Sequence, residues 1–306
     1  MSINNRQTEY SPIVIFAFNR LQSLIRLVES LKCNPEYQYS DLYVFVDGAR
    51  LEVSGEKERV EQVKDYAKTI VGFKSTHLSL SDNNKGLARS IIEGVSEVIV
   101  KYGKIIVLED DLEVMPNFLN FMNKGLDVYQ ENLDVMSVCG FSCKVSAPTD
   151  YEEDSYFLSR HSSWGWATWE DRWKDVDWEL KDWTSVEKNR RAFVKSQGSD
   201  VYRMLKGWRD GKNNSWAIRF CYAQHVTDRL SIFPLKSLVN NKGFDGDGTN
   251  CRRYSRFKFE LDDRRDHLVF RFPKYIRELI FFAKQAKRYH SIPLRIWSRL
   301  MYLIYK

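Results

Sequence analysis

Short strand-like runs alternate with helix-spaced segments through the first 140 or so residues, and that rhythm leaves few folds open to the chain. Residues 13–18 (IVIFAF) have no polar position on either side, as a strand buried on both faces requires. The next segment places Leu21, Leu24, Ile25, Leu27, Val28 and Leu31 at the spacing of one helical face. Residues 41–47 (DLYVFVD) read as a second strand stopped by Gly48, and a charged helical stretch follows over about 54–70. A third strand at 77–80, a helix over about 86–100 and a fourth strand at 104–108 (KIIVL) continue the series. Such a β-α-β-α-β order predicts an α/β fold with a mostly parallel, doubly wound sheet and flanking helices. Its ligand site belongs at the C-terminal ends of the strands.

Composition narrows the class. The 306 residues are 43% hydrophobic and 14% aromatic, enough for a large core and too aromatic for a disordered chain. No run approaches the ~18 apolar residues of a spanning helix. The N-terminal residues lack an apolar signal core, and the five cysteines (33, 139, 143, 221, 251) form no Cys-x-x-Cys pair, so the expectation is a cytoplasmic protein with free thiols. Charge is unevenly spread: residues 251–306 hold 15 Lys and Arg against 5 Asp and Glu, whereas residues 1–250 hold 32 against 36. A basic tail on a mildly acidic body points to an anionic surface as partner.

The strand ends carry the candidate chemistry. Glu109, Asp110 and Asp111 follow the fourth strand directly. Three adjacent acids repel one another unless they meet solvent or a cation, and hard oxygen ligands suit Mg²⁺ or Mn²⁺ bridging a substrate's phosphates. An acidic turn capping the helical run after Pro116 is the plain alternative. Phe18, Asn19 and Arg20 end the first strand and Asp47 the second, while Lys85, Gly86 and Arg89 open the helix after the third, where a helix N-terminus with basic neighbours suits an anion. Each residue alone has an ordinary surface role; together on one sheet edge they read as a nucleotide-diphosphate site. Neither Gly-x-Gly-x-x-Gly after the first strand nor a Walker-type Gly-x-x-x-x-Gly-Lys-Ser/Thr is present, which argues against dinucleotide dehydrogenases and P-loop NTPases. The five histidines show no zinc-ligand spacing.

The run 105–119 (IIVLEDDLEVMPNFL) resembles the metal-binding segment of GT-A glycosyltransferases, closest to N-acetylglucosaminyltransferase I and to bacterial polysaccharide-building relatives. Segments 13–20, 43–47, 84–89, 164–169 (WGWATW) with Trp173, and 232–243 support the resemblance, which covers roughly residues 12–250 and not the tail. It implies a GT-A domain over 1–250, with a nucleotide-binding half at 1–140 and an acceptor half at 141–250; residues 251–306 read separately, from their own charge and pattern, as a basic amphipathic helical tail. It further implies a metal-dependent inverting transfer from a nucleotide-sugar, a UDP-sugar above all, to a saccharide or lipid-linked saccharide in surface glycan synthesis. Asp111 would hold Mn²⁺ or Mg²⁺ and Glu109 and Asp110 would contact ribose, sugar or metal-bound water. Asp47 would read uracil, with Arg20 near base or phosphates. Trp164, Gly165, Trp166 and Trp216 would wall the sugar and acceptor, and Gly243, Asp245 and Asp247 would belong to a lid; tryptophans as core and a simple loop are the plain alternatives.

One position departs from that pattern. Inverting relatives resemble Ser-Trp-Asp where this chain reads Ser215-Trp216-Ala217, and alanine cannot take the acceptor's proton. Three readings stand: the base lies elsewhere, at Asp171 or Glu170; the protein is a weak or silent nucleotide-sugar binder; or, the favoured reading, Ala217 is an engineered replacement of the base made to trap substrates. A metal-dependent nucleotidyltransferase on a similar sheet is the remaining enzymatic rival. The tail reads either as two amphipathic helices split near Pro293 that lie on an anionic membrane, making the protein peripheral on the inner face, or as helices packed on the body or in a dimer. No nucleic-acid motif accompanies its charge.

Overall fold

Ile13–Ala17 (β1) is buried at every position, and its alternation divides the core into two layers: Ile13 and Ile15 face one, Val14 and Phe16 the other. The computed structural model describes residues 10–244, 256–265 and 269–304, with side chains to residue 301. After β1 come Leu21–Lys32 (α1), a 3-10 turn at Pro35–Tyr39, Asp41–Val46 (β2), Glu56–Lys68 (α2), Ser75–Leu80 (β3), Leu87–Tyr102 (α3) and Lys104–Glu109 (β4). The order β3-β2-β1-β4 is parallel throughout, with Ile13 opposite both Leu42 and Ile106. The chain leaves β1 toward β2 and β3, then returns to β1's other side as β4. The resulting switch point between β1 and β4 opens a crevice at the strands' C-terminal ends.

The second half completes an eight-stranded sheet of order β3-β2-β1-β4-β8-β6-β9-β7. Its elements are Leu112–Val114 (β5), Phe118–Val128 (α4), Val135–Cys139 (β6), Ser155–Leu158 (β7), Trp166–Trp169 (β8), Glu170–Lys174 (α5), Trp183–Lys188 (α6), Arg190–Gln197 (α7), Ser199–Arg209 (α8), Trp216–Val226 (α9), Leu230–Pro234 (β9) and Val239–Asn241 (β10). The wedge strand β8 runs antiparallel to both β4 and β6, with Val107 opposite Trp166 and Lys104 opposite Trp169. This register puts residues just before β8 beside the C-terminal end of β4, and residues just after it at the opposite sheet edge. A small antiparallel pair, β5 with β10, sets Asn241 opposite Leu112 and so returns the chain to the end of β4.

The Trp-rich stretch is largely core. Trp166 is fully buried and stacks on Trp216 at 4.9 Å and Trp173 at 5.7 Å between centroids. Burying an aromatic of this size stabilises by about 1.5–3 kcal/mol, before the ring-ring term. Ile280–Tyr289 (α10) packs on the body: Phe282 is fully buried and stacks on Tyr156 at 4.5 Å. Ile292–Ile304 (α11) follows, and no helix among the described residues is long and apolar enough to cross a membrane. Cys33, Cys139, Cys143 and Cys221 are free thiols.

Candidate functional site

The ends of β1, β2 and β4 meet around a cavity of about 740 Å³ at the switch point, lined among others by Phe18, Arg20, Asp47, Arg50, Glu109, Asp110, Asp111, Trp164, Trp216 and Asn241. Its floor is acidic. Asp110 is buried, accepts from the Phe18 backbone N–H at 3.3 Å, and pairs with Arg20 Nη2 at 2.5 Å; the same nitrogen lies 3.5 Å from Asp111. Burial, opposed by Arg20, still pushes Asp110 up to about 6. Burial and then the neighbouring Asp111 and Asp110 charges push Glu109 up to about 8.

The rim is built from two crossed loops. Asp47 accepts from three backbone N–H groups: Gly48 at 3.0 Å, Lys85 at 2.8 Å and Gly86 at 2.9 Å. Its carboxylate thus fastens the β3–α3 loop onto the end of β2. The two loops approach so closely that a Cβ on Gly48 would lie 2.4 Å from the Asn83 carbonyl carbon, and Asn84 Nδ2 donates to the Gly48 carbonyl oxygen at 2.8 Å. On the other flank buried Glu56 accepts from Arg50 Nε, Nη2 and backbone N–H and from Asn19 Nδ2, all at 2.6–2.9 Å. Arg50 also lies over the Phe18 ring at 5.4 Å. The sequence reading missed Arg50 and Glu56.

The far wall of the cavity comes from segment 163–164, delivered by the antiparallel β8, and from the N-terminus of α9. Trp164, Ser163, Met204, Ser215 and Ala217 also line a second cavity of about 580 Å³. That cavity runs between β7, α7, α9 and α10 and is bounded by Phe141, Tyr156, Arg160, Ile218, Phe257, Ala286 and Ile292. Ala217 therefore stands on the partition between the two spaces.

Several predicted residues lie elsewhere. Glu170 and Asp171 follow β8 at the opposite sheet edge, where the Glu170 backbone N–H donates to Gly103, Glu170 pairs with Lys174, and Asp171 pairs with Arg172 at 2.7 Å. Neither lines the cavity. Lys85 and Arg89 turn outward and both pair with Glu93, at 3.0 and 2.6 Å, leaving Arg20 and Arg50 as the arginines that line the cavity among the described residues. Trp166 is core, and Gly165 serves a turn at φ +66° where a Cβ would meet Val239 at 2.9 Å; neither is a wall. Asp245 and Asp247 lie outside the described residues; Gly243 is placed against Asp111.

Residues suited to a divalent cation converge at that contact. A Cβ on Gly243 would sit 2.6 Å from Asp111 Oδ2 and 3.0 Å from Asn241 Oδ1, which accepts from the Gly243 backbone N–H at 2.8 Å, so glycine lets the backbone pass close beside these two oxygens. Among the described residues no three His, Cys, Asp or Glu side chains gather into a cage. A carboxylate and an amide oxygen, with the remaining positions left to phosphate and water, is donor chemistry that fits Mg²⁺ or Mn²⁺ and not a closed structural site.

No family model matches the chain. Over 114 residues it is 23% identical to an alpha-1,3-mannosyl-glycoprotein 2-beta-N-acetylglucosaminyltransferase of Arabidopsis thaliana, a stretch that covers 33% of this chain and 25% of that protein. The chain thus shares a weak, partial likeness with a glycosyltransferase, spanning about a quarter of that relative's length.

Proposed function

We propose that the protein is a GT-A-type glycosyltransferase that binds a nucleotide-sugar, a UDP-sugar above all, in the switch-point cavity and transfers the sugar with inversion. The observation that carries this reading is the meeting of the acidic β4 end, Arg20, Arg50 and the Asp47-clamped loop around one cavity. The partial likeness to a glycosyltransferase points the same way. Phe18 and the backbone of the clamped loop would receive the base, with Asp47 holding the loop that does so. Arg20 and Arg50 would face the diphosphate. Mn²⁺ or Mg²⁺ held by Asp111, with Asn241 as neighbour, would supply Lewis-acid neutralisation of the leaving diphosphate. The sugar would point toward Trp164 and Ala217, and the second cavity beyond that partition would take the saccharide acceptor.

Catalytic competence is a separate matter. Ala217 stands where donor and acceptor spaces meet and has no group to accept the hydroxyl proton. That observation favours a second reading, a silent nucleotide-sugar binder, and Ala217→Asp separates the two: turnover with UDP release identifies a disabled transferase. Release of pyrophosphate would select a nucleotidyltransferase. The donor assignment is tested by thermal shift with a nucleotide panel with and without Mn²⁺. The expected result is a Mn²⁺-dependent rise with UDP or UDP-sugars, roughly 2.7 kcal/mol at a hundredfold excess over Kd, lost in Asp111→Ala. No shift with any nucleotide rejects the assignment.

A further inference from the structure

α11 is inside out. A surface helix on a globular body turns its apolar stripe inward and its polar residues to water. Here Ser298 is 2% exposed against the body, whereas Ile292, Ile296, Trp297 and Leu300 are 50–57% exposed. These four recur at helical spacing with exposed Pro293 among them, so they form one continuous outward stripe. Arg295, whose Nη2 donates to Ser199 Oγ at 2.7 Å, and exposed Arg299 border the stripe along one edge. The outer side of α10 adds Ile280 and Phe281, 71% and 47% exposed, followed by exposed Lys284, Lys287 and Arg288. From residue 279 to 306 the chain has six Lys and Arg and no Asp or Glu.

We propose that this face docks on an anionic lipid surface, with Ile292, Ile296, Trp297 and Leu300 entering the boundary between headgroups and acyl chains. Charge decides the occupant. A second copy of the chain would bring one predominantly basic face, in which Glu278 lies 4.0 Å from Lys287, against another, a repulsive pairing, whereas an anionic bilayer complements it. The exposed apolar residues occupy one side of the helix while Ser298 and Arg295 turn to the body, a sidedness that suits a helix lying in the plane of the membrane surface. Trp297 in the stripe suits the interface, where an apolar ring with one polar N–H is most at home. Ile292 belongs both to the stripe and to the lining of the second cavity, so docking would bring that cavity's rim to the lipid surface. The proposal rests on the exposed face alone and stands whether or not the donor assignment does.

The test is co-sedimentation of the full chain with vesicles of phosphatidylcholine, with and without phosphatidylglycerol. Binding is expected to the phosphatidylglycerol vesicles, to weaken as salt is raised, and to fall at least about tenfold in Ile296→Glu/Trp297→Glu. The replaced side chains face water, so the double variant should keep the parent's melting temperature. Arg299→Gln, which leaves the apolar stripe intact, is expected to weaken binding by about fivefold at low salt. Equal binding to both vesicle types, no binding to either, or binding unchanged in the double variant would overturn the proposal. So would a concentration-dependent dimer that the double variant dissolves while vesicle binding is absent.

Discussion

Glu56 is a charge the protein has placed beyond the reach of water and then surrounded with donors. Arg50 is the largest cause: its side-chain hydrogen bonds hold the Glu56 carboxyl at about 2 against an ordinary 4.5, with burial working in the opposite direction and the Arg50 backbone N–H and Asn19 assisting. Folded Glu56 thus binds its proton less readily than unfolded Glu56. The stabilisation is complete above pH 4.5 and drains away as pH falls from 4.5 toward 2. Glu56→Gln should lower the melting temperature at neutral pH and flatten its decline between pH 4.5 and 2, measured by calorimetry across that range. A decline as steep as the parent's would show that Glu56 carries no such linkage. The same residue shows where sequence reading stops. Asp47, Arg20 and the acidic triplet were legible because they sit at strand ends, a position defined by the hydrophobic pattern. Glu56 and Arg50 were not, because their partnership is made by a loop that turns at Gly48, and loop paths leave no periodic trace. The pairing of Lys85 and Arg89 was hidden for a related reason: a helix N-terminus suggests an anion site, and nothing in the pattern announces that Glu93, one turn beyond Arg89, pairs with both.

At the scale of elements the β2–α2 and β3–α3 loops act as one unit. The approach of Gly48 to the Asn83 backbone, 2.4 Å for an added Cβ, leaves no side chain that could swing aside. Gly48→Ala should therefore part the loops, strain the Asp47 clamp beside it and cost about 1–3 kcal/mol of stability. It should also weaken UDP binding by at least about tenfold, since a 1.4 kcal/mol loss of loop order has that effect. Titration calorimetry with UDP and Mn²⁺ checks this, and undiminished affinity would detach the clamp from the site. The four parallel strands were readable almost to their ends because each follows from a local pattern; β3 begins two residues earlier than its apolar residues suggest, as an edge strand with little burial can. The other sheet half was opaque. β8 is the four residues Trp-Ala-Thr-Trp, and β6 pairs with β9 across more than ninety residues of chain. Such pairings are decided by tertiary closure, not by propensity.

For the whole molecule, the basic C-terminal segment has two faces of different character. The inner face of α10 is core: Phe282 sits between Tyr156 at 4.5 Å and Tyr151 at 5.0 Å, and Ala283 and Ala286 beside it line the second cavity. Among the described residues, none of α10 or α11 lines the switch-point cavity. A defect in α10 should consequently be felt by the proposed acceptor space and not by the donor space. Phe282→Ala removes a fully buried ring and is expected to cost about 3–5 kcal/mol. The rise in melting temperature that UDP and Mn²⁺ produce should persist in the variant from its lower baseline. The additional rise from a bound oligosaccharide, identified by screening a panel with UDP present, should shrink or vanish. If both responses persist, the second cavity is not where the acceptor binds. If both disappear, the two cavities are coupled through the partition at Trp164 and Ala217, and the division into donor and acceptor spaces must be redrawn around that wall.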